Sequence, residues 1–426
     1  QGGLARVSPP YGCGLRSFLC AGPCDAAASP GFCRQIPSCR RFVAAAFLLA
    51  AQIPSLGMRR RIGLRPRASP AAGARTSFLV VCVVVVVRVL VSDPIAPTAA
   101  AGLVRVPPVR RVVVVGATHG NEITGAWVAK KVSANHEGIG SRPSFGHASA
   151  ILGNPRGYEE SRRFIDADLN RQFSDKLLAD LSLSSYEAQR AKALNAHLGP
   201  KGSESAADFV VDLHSSTASM GINFIVEPSS ALGVAAACWC QRELRPRTVT
   251  GELPEVRITY ETLNKRDSPH VISVAREGLM IEVGPVPQGL LRADVCHWTE
   301  AALSAVFDFL EAFNSGNMLD LPSRVVAFRD LQKKIPVPLG DDGKPQALFH
   351  ARFQGRDFEP LQKGDTIFEF MSGDVMVYDG AFGDTIWPVF VNEAAYYSKE
   401  SGLGFGVTMR EEVDVPQIVC EPPVSA

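Results

Sequence analysis

The sequence predicts an α/β domain built on a mostly parallel sheet, followed by a smaller all-β domain. Between residues 108 and 318, runs of β-branched residues alternate with helical segments, which is the pattern of a parallel sheet covered on both faces. Beyond residue 318 the chain changes to short apolar runs separated by turns such as Ser372-Gly373-Asp374, which is typical of an all-β domain. We therefore expect one domain over 108–318 and a second over 319–426.

Three predicted strands of the first domain end on polar residues. The β-branched run Arg111–Val115 is followed by a turn that contains His119 and Glu122, and later apolar runs end on His214 and Glu282. Ligands of open α/β sheets bind outside the carboxyl ends of the strands. These side chains are therefore expected to converge at one edge of the sheet.

The remaining elements follow the same two patterns. Helices are predicted over 126–132, 186–198 and 300–313. Strands of the second domain are predicted over 325–328, 347–353, 366–370, 375–378 and 386–391. The first domain thus alternates strand and helix, whereas the second is built from strands.

The first 107 residues form a basic extension that we exclude from the predicted fold. They contain thirteen Arg, no Lys and two Asp. Met58 precedes three arginines, and the later apolar run Phe78–Val91 leads to small residues, an order typical of a targeting segment. The run is too short for a stable membrane span, which needs about twenty residues. The extension is interpreted either as a targeting or disordered segment, with an organellar location, or as mispredicted sequence on a cytoplasmic protein.

Charge and cysteine usage limit the class of the body. Beyond the extension, Asp and Glu outnumber Lys and Arg, and this argues against a nucleic-acid partner, which needs clustered basic residues. Four of the ten cysteines lie in the body without a paired framework, so we interpret them as reduced thiols. One residue separates Cys238 from Cys240, which is the wrong spacing for the usual zinc turn, so buried thiols are favoured over a metal pair.

His119, Glu122 and His214 predict a catalytic zinc site. Two imidazoles and a carboxylate are a common ligand set for a catalytic zinc, whose fourth position stays open for water. His119 and Glu122 lie three residues apart and His214 is the distant third ligand, so we expect one Zn²⁺ per subunit. The six other histidines are interpreted as ordinary surface or core residues.

Further groups are expected around this ion. Glu282 ends an apolar run, where a carboxylate is costly to bury without a partner. Beside a zinc-bound water it can take a proton and then deliver it to a leaving amine, so Glu282 is the candidate general acid/base. A structural ion pair is the alternative. Asp168 and Asp212 are candidates for orienting the ligand imidazoles, with structural capping as the alternative.

The segment Arg162–Phe173 supplies candidates for binding an amide substrate. Arg163 is expected to polarise the scissile carbonyl and hold the developing oxyanion. Asn170 and Arg171 are expected to clamp a carboxylate, for which the planar guanidinium is well shaped. Without the metal motif, a solvated charge run would be the favoured interpretation.

These motifs make the chain resemble the aspartoacylase and aminoacylase-3 group of the succinylglutamate desuccinylase/aspartoacylase family, which has a zinc carboxypeptidase-like fold. The matching segments are Gly116–Gly125, Asn154–Arg156, Asp166–Arg171, Asp212–His214, Ile281–Pro285, Gln288–Gly289, Leu291–Asp294 and Pro388–Tyr397. The resemblance implies a zinc-dependent catalytic domain over 108–318 and a β domain over 319–426 that caps the active site. It also suggests a homo-oligomer.

The resemblance assigns roles to individual residues. It implies zinc ligands, a general acid/base, a carbonyl-polarising group and an α-carboxylate clamp, at the positions already deduced from the sequence. It adds two substrate contacts that the residues alone do not reveal, Tyr396 and the nearby Lys399.

The implied activity is hydrolysis of the amide bond of small N-acyl-L-amino acids to a carboxylate and a free amino acid. Aspartoacylases carry an arginine ten residues before the catalytic glutamate, where it holds the side-chain carboxylate of N-acetylaspartate, and this chain has Ile272 there. Losing a charge-assisted hydrogen bond worth about 1.5 to 3 kcal/mol favours N-acetyl neutral or aromatic amino acids. The alternatives are an aspartoacylase acting on N-acetyl-L-aspartate, an inactive metal-binding protein and a peptide-cleaving carboxypeptidase.

Overall fold

A computed structural model describes residues 103–317, 319–397 and 402–421 of the chain. The proposed targeting segment and Lys399 lie outside the described residues. Within the described residues, no helix combines the length and the hydropathy required to cross a membrane.

Seventeen strands are described, nine of them before residue 318. These nine are β1 (Val104–Val106), β2 (Val112–Gly116), β3 (Ser141–Arg142), β4 (Gly146–His147), β5 (Ser149–Leu152), β6 (Phe209–Ser215), β7 (Gly221–Val226), β8 (Val256–Tyr260) and β9 (Glu277–Gly284). The others are β10 (Arg324–Ile335), β11 (Ala347–Phe349), β12 (Leu361–Gln362), β13 (Thr366–Phe370), β14 (Val375–Val377), β15 (Thr385–Val389), β16 (Phe405–Asp414) and β17 (Ile418–Cys420).

Six α-helices are described, all before residue 318. They are α1 (Ile123–Ser133), α2 (Pro155–Glu159), α3 (Asp175–Ala179), α4 (Tyr186–Leu198), α5 (Ala231–Val249) and α6 (Ala293–Asn314). Four short 3₁₀ segments cover His136–Gly138, Leu169–Arg171, Val271–Val274 and Ala394–Tyr396.

One ten-stranded sheet organises the molecule, in the order β12-β15-β16-β10-β8-β7-β9-β6-β2-β5. The pairs β5/β2, β2/β6, β6/β9, β7/β8 and β8/β10 are parallel, and β7 runs antiparallel to β9. Beyond β10 the pairs are all antiparallel. The predicted fold class, an α/β domain followed by a small β domain, is confirmed.

Two apolar layers cover the part of the sheet that belongs to the first domain. Strands β2, β6 and β7 are buried along their whole length, as expected of strands that are covered on both faces. Side chains of α1, α5 and α6 pack on one face. Side chains of α4 and of the 3₁₀ segments Leu169–Arg171 and Val271–Val274 pack on the other. All four cysteines of the described body are free thiols, as the sequence predicts.

The β domain is joined to the sheet of the first domain rather than separate from it. Strand β10 pairs with β8 on one side and with β16 on the other, so a single sheet continues past residue 318. Strands β11, β13 and β14 form a second, three-stranded sheet. Phe353, Phe368 and Phe405 are among the side chains that fill the core between these strands.

The structure contains elements that the sequence pattern did not reveal. Helix α5 was not predicted because seven consecutive residues, Leu232–Cys238, are buried, which removes the amphipathic period expected of a surface helix. Strands β7, β8 and β16 were also not predicted. Strand β1, placed by the sequence in the extension, pairs in parallel with β17, so the fold begins before residue 107.

Helix α1 approaches β6 so closely that its third residue, Gly125, has no room for a side chain. A Cβ atom at Gly125 would lie 2.5 Å from the backbone oxygen of Leu213. Helix propensity alone favours alanine over glycine by about 1 kcal/mol. Overpacking of a well-packed core costs about 1 to 3 kcal/mol, so packing opposes propensity here.

We expect Gly125→Ala to lower the free energy of unfolding, measured by urea denaturation, because the backbone of β6 must shift. Ser133→Ala, at the exposed end of the same helix, is the control and should leave stability nearly unchanged. A stabilised Gly125→Ala variant would show that α1 is not held against β6 by this contact.

Candidate active site

The three predicted zinc ligands meet at the carboxyl edge of the sheet. His119 and Glu122 lie in the turn between β2 and α1, and His214 lies near the end of the neighbouring strand β6. All three side chains are buried. Strand β9 pairs in register with β6, so Glu282 lies directly beside His214.

The geometry of these ligands suits a single divalent cation. One ligand atom from each of His119, Glu122 and His214 lies within 4.8 Å of the others. The two carboxylate oxygens of Glu122 lie 2.7 Å from Nδ1 of His119 and 2.9 Å from Nδ1 of His214. Tetrahedral zinc with bonds of about 2.0 to 2.1 Å needs ligand atoms about 3.4 Å apart, so small side-chain movements suffice. Among the described residues, this is the group of His, Cys, Asp and Glu side chains able to share an ion.

Two further carboxylates orient the imidazoles. Nε2 of His119 lies 3.0 Å from Asp168, and Nε2 of His214 lies 2.7 Å from Asp212. Asp212 also accepts a 2.6 Å hydrogen bond from Thr118. A carboxylate acceptor at Nε2 favours the proton on that nitrogen, which leaves the Nδ1 lone pairs directed at the shared centre.

The electrostatic environment favours positive charge at this centre. Burial lowers the pKa of His214, but Asp212 and Glu122 raise it well above its usual value. Burial raises the pKa of Glu122, but the charges and hydrogen bonds of His119 and His214 bring it far below its usual value. The same carboxylates that stabilise a protonated imidazole here would stabilise a bound cation.

Arg163 lies against the same centre. Its guanidinium makes 3.0 Å ion pairs with Glu122 and Asp168, and its side chain is mostly buried. Burial lowers the pKa of Arg163, but Asp168 and Glu122 raise it above its ordinary value, so the group is always charged. A permanent cation beside the candidate metal centre is suited to stabilising negative charge on a substrate oxygen.

Asn170 and Arg171 lie in the 3₁₀ segment beside His214. The Asn170 amide lies 3.3 Å from Nε2 of His214 and accepts a 3.0 Å hydrogen bond from the backbone of Val271. Arg171 donates to the backbone oxygen of Asn170 and also lines the cleft. Asn170 is thus held by internal contacts, whereas the Arg171 guanidinium keeps further donors for a ligand.

A buried glutamate that the sequence analysis did not single out fixes this segment. Glu187 is fully buried at the start of α4 and accepts hydrogen bonds from the backbone N–H groups of Ile165, Asp166 and Ala167, at 2.6 to 3.0 Å. It also accepts a 3.0 Å bond from the side chain of Asn154. Glu187 therefore holds the loop that carries Arg163 and the 3₁₀ segment.

Glu282 faces the cleft from β9. Only 8% of the surface of Glu282 is exposed to solvent. Burial, followed by the neighbouring Glu122, raises the pKa of Glu282 well above its usual value, although His214 acts in the opposite direction. A carboxylate with a raised pKa is a stronger base, as general acid/base chemistry beside a metal-bound water would require.

Residues of both domains line this cleft, which has a volume of about 450 Å³. Tyr396 enters from the β domain, half-buried, with its ring edge-on to Phe390 at 6.0 Å between centroids. Burial raises the pKa of Tyr396, while Arg171 and Arg163 lower it. The predicted contact Tyr396 is thus brought to the cleft with the metal ligands and both arginines.

Ile272 and the two arginines near it in the chain, Arg266 and Arg276, lie away from the cleft lining. Ile272 is 3% exposed and packs in the apolar core beneath the sheet. Arg266 is exposed and pairs with Asp175, and Arg276 pairs with Asp208. None of the three is among the side chains that line the cleft.

Comparisons with known proteins identify the family of the chain. A family model described as the succinylglutamate desuccinylase/aspartoacylase catalytic domain matches residues 108–310, and the AstE/AspA barrel-sandwich hybrid domain matches residues 325–405. The chain is 37% identical over 313 residues to the N-acyl-aromatic-L-amino acid amidohydrolase (carboxylate-forming) of Homo sapiens, covering 72% of this chain and 93% of that relative. The chain belongs to the succinylglutamate desuccinylase/aspartoacylase family. It is therefore an enzyme of the amidohydrolase type.

Other members of the family match at a similar level. The aspartoacylase of Danio rerio is 35% identical over 311 residues, which covers 71% of this chain and 92% of the relative. The crystal structure of murine aminoacylase 3 superposes with a TM-score of 0.66 at 36% identity and covers 73% of this chain and 98% of that one. The predicted family is thus confirmed.

Glu393 links the β domain of this family member to the catalytic sheet. This buried carboxylate accepts hydrogen bonds from Thr217 N at 2.8 Å, Gln288 Nε2 at 3.0 Å and Ala395 N at 3.0 Å, and from the Ser216 hydroxyl. It lies one turn before Tyr396. Glu393 lies in the matching segment Pro388–Tyr397, but the sequence alone indicates no function for it.

We expect Glu393→Gln to lower the free energy of unfolding by about 1 to 3 kcal/mol, because an amide N–H₂ would face a buried N–H donor. Chemical denaturation measures this loss. Glu369→Gln, on an exposed position of β13, is the control and should change stability little. Equal stability of both variants would contradict the anchoring function of Glu393.

Proposed function

We propose that this enzyme is a zinc-dependent hydrolase of small N-acyl-L-amino acids, which it converts to a carboxylate and a free amino acid. The observation that carries the proposal is the buried ligand set of His119, Glu122 and His214 in a cleft that also contains Glu282 and two arginines. Family membership supports it, since relatives are named aspartoacylase and N-acyl-aromatic-L-amino acid amidohydrolase.

One zinc ion per subunit would be held by His119, Glu122 and His214. When bound, it supplies a Lewis acid that lowers the pKa of water from 15.7 to about 7. Glu282 takes the proton from the attacking water and delivers it to the amine nitrogen as the C–N bond breaks. The raised pKa of Glu282 makes its carboxylate a stronger base, which favours the first of these two steps.

The two arginines of the cleft have different proposed roles. Arg163 contacts Glu122 and is the group that polarises the acyl carbonyl and stabilises the oxyanion. Arg171 binds the α-carboxylate of the substrate together with Asn170. The guanidinium of Arg171 is held in place by its hydrogen bond to the backbone oxygen of Asn170. Tyr396 contacts the substrate from the β domain, and Lys399 is proposed to act nearby. The β domain over 319–426 would narrow the cleft and exclude longer peptides.

The proposed substrates are N-acetyl amino acids with neutral or aromatic side chains, rather than N-acetyl-L-aspartate. Neither Arg266 nor Arg276 lines the cleft, so neither supplies a cation for a side-chain carboxylate of the substrate. Ile272, at the position where aspartoacylases carry an arginine, has no charge. The name of the human relative supports aromatic substrates. Aspartoacylase activity is the second candidate, supported by the name of the fish relative.

We expect Glu282→Gln to retain zinc but to lose nearly all turnover, because the amide cannot accept the proton of the attacking water. Zinc content is measured by elemental analysis and kcat with N-acetyl-L-tyrosine. Glu277→Gln, at the other end of β9, is the matched control and should keep most activity. Normal turnover by Glu282→Gln would remove Glu282 from the mechanism, and a chelator-resistant wild type would argue against zinc.

We expect kcat/KM for N-acetyl-L-tyrosine to exceed that for N-acetyl-L-aspartate by about tenfold or more, the effect of about 1.4 kcal/mol or more in the transition state. A dipeptide with a free amino terminus should be hydrolysed far more slowly than either. Preference for N-acetyl-L-aspartate would support the aspartoacylase alternative, and preference for the dipeptide would support a carboxypeptidase.

A further inference from the structure

The far end of the cleft contains three titratable residues that the proposed chemistry does not use. Glu261 directly follows β8, His270 precedes the 3₁₀ segment Val271–Val274, and Asp330 lies in β10. All three line the same cleft as the candidate zinc ligands. We call this group the distal cluster.

Two polar atoms of the distal cluster are buried without a hydrogen bond. Within the part of the chain that the structure describes, these atoms are Nδ1 of His270 and Oε2 of Glu261. Nδ1 of His270 lies 3.5 Å from Oε1 of Glu227 and 4.0 Å from Oε2 of Glu261, which is within ion-pair range, yet it makes no hydrogen bond to either. The side chain of His270 is only 8% exposed. Leaving a buried polar atom unpaired costs about 1 to 3 kcal/mol, so this end of the cleft is suited to an external partner.

The distal cluster lies next to the proposed α-carboxylate site. The backbone N–H of Val271, the residue after His270, donates to Asn170. Asp330 lies close enough to Arg171 and Glu261 for their charges to act on it. A substrate whose α-carboxylate binds Arg171 can therefore direct its side chain to Glu261 and His270.

The floor between the two ends is formed by successive strands of the sheet. Met280 of β9 pairs with Ile225 of β7, and Ile225 pairs with Thr259 of β8. All three side chains line the cleft. Two strand spacings amount to about 10 Å, so the floor offers apolar contact to a long side chain and ends at Glu261.

The chemistry of the unpaired atoms selects the class of side chain. An ionised carboxylate only accepts hydrogen bonds, so the partner of Glu261 must be a donor. A second carboxylate, Asp330, lies nearby. Its pKa is raised to about 6 by burial, with Glu261 adding to the effect, so a further negative charge is unfavourable here. Lys333 and Lys334 also line the cleft, on the β10 side.

We propose that the distal cluster is a side-chain subsite for N-acyl amino acids whose side chain ends in a hydrogen-bond donor. Glu261 accepts the hydrogen bond from that donor. The phenol of tyrosine, the indole of tryptophan and the ammonium of lysine share this chemistry. The inference rests on the proposed function, since it names a substrate class for the same cleft.

The test compares substrates that differ by one donor. With the zinc-loaded full chain, kcat/KM for N-acetyl-L-tyrosine should exceed that for N-acetyl-L-phenylalanine by about tenfold or more, because phenylalanine leaves the acceptor unpaired. Nα-acetyl-L-lysine, assayed in parallel, distinguishes a cationic donor from a neutral one. Equal values for tyrosine and phenylalanine, with lysine no better, would overturn the proposal.

Two variants connect the preference to Glu261. Glu261→Leu should reduce the tyrosine-to-phenylalanine ratio to about one, mainly through loss of tyrosine activity, and the isosteric Glu261→Gln should reduce it partly. The matched control is Glu255→Leu, an exposed glutamate just before the same strand, which should retain the wild-type ratio. An unchanged ratio in both Glu261 variants would also overturn the proposal.

Failure of the proposed function gives a different result. If no N-acyl amino acid is hydrolysed, the activity is contradicted, and the subsite is judged by calorimetric binding of free L-tyrosine and L-phenylalanine. The wild type should then bind L-tyrosine about tenfold more tightly than L-phenylalanine. The Glu261→Leu variant should bind the two amino acids equally. Equal affinity of the wild type for both amino acids would exclude the subsite.

Discussion

The in-register pairing of β2, β6 and β9 is the constraint on which the candidate site depends. It places the turn after β2, His214 and Glu282 side by side at one edge of the sheet. A slip of one residue in either pair would turn every side chain of the moved strand to the opposite face. The complete burial of β2 and β6 opposes such a slip, because their apolar side chains contact both layers. Core packing therefore determines where the candidate metal ligands lie.

Alternating charges then stabilise the groups at that edge. Glu122 lies between two imidazoles, each imidazole contacts a second carboxylate, and Arg163 contacts two of the acidic residues. Buried charges are stable in proteins when each has a partner, and removal of one member leaves the others unpaired. Glu187 and Glu393 extend this arrangement outward, since they hold the segments that carry Arg163 and Tyr396.

Much of the site could be predicted from sequence because its residues end strands or follow them closely. Strand ends are visible as apolar runs, so His119, Glu122, His214 and Glu282 could be assigned before the structure was known. Glu187 and Glu261 could not, because one begins a helix and the other follows a strand that the pattern did not reveal. The partners of Glu187 are distant backbone amides, and Oε2 of Glu261 has no hydrogen-bond partner among the described residues. Spacing along the chain encodes neither arrangement. Ile272 illustrates a further limit: its position relative to Glu282 was known, but its direction into the core was not.

The shared strand β10 has a consequence for recombination between family members. Because β10 hydrogen-bonds to β8 and to β16, a cut at residue 318 separates two pieces that complete each other's sheet edge. A chimera that exchanges the β domain therefore also replaces one strand beside β8, and with it the wall that contains Asp330. Such an exchange would therefore alter the lining of the cleft, and the isolated first domain would expose an unpaired, aggregation-prone edge at β8.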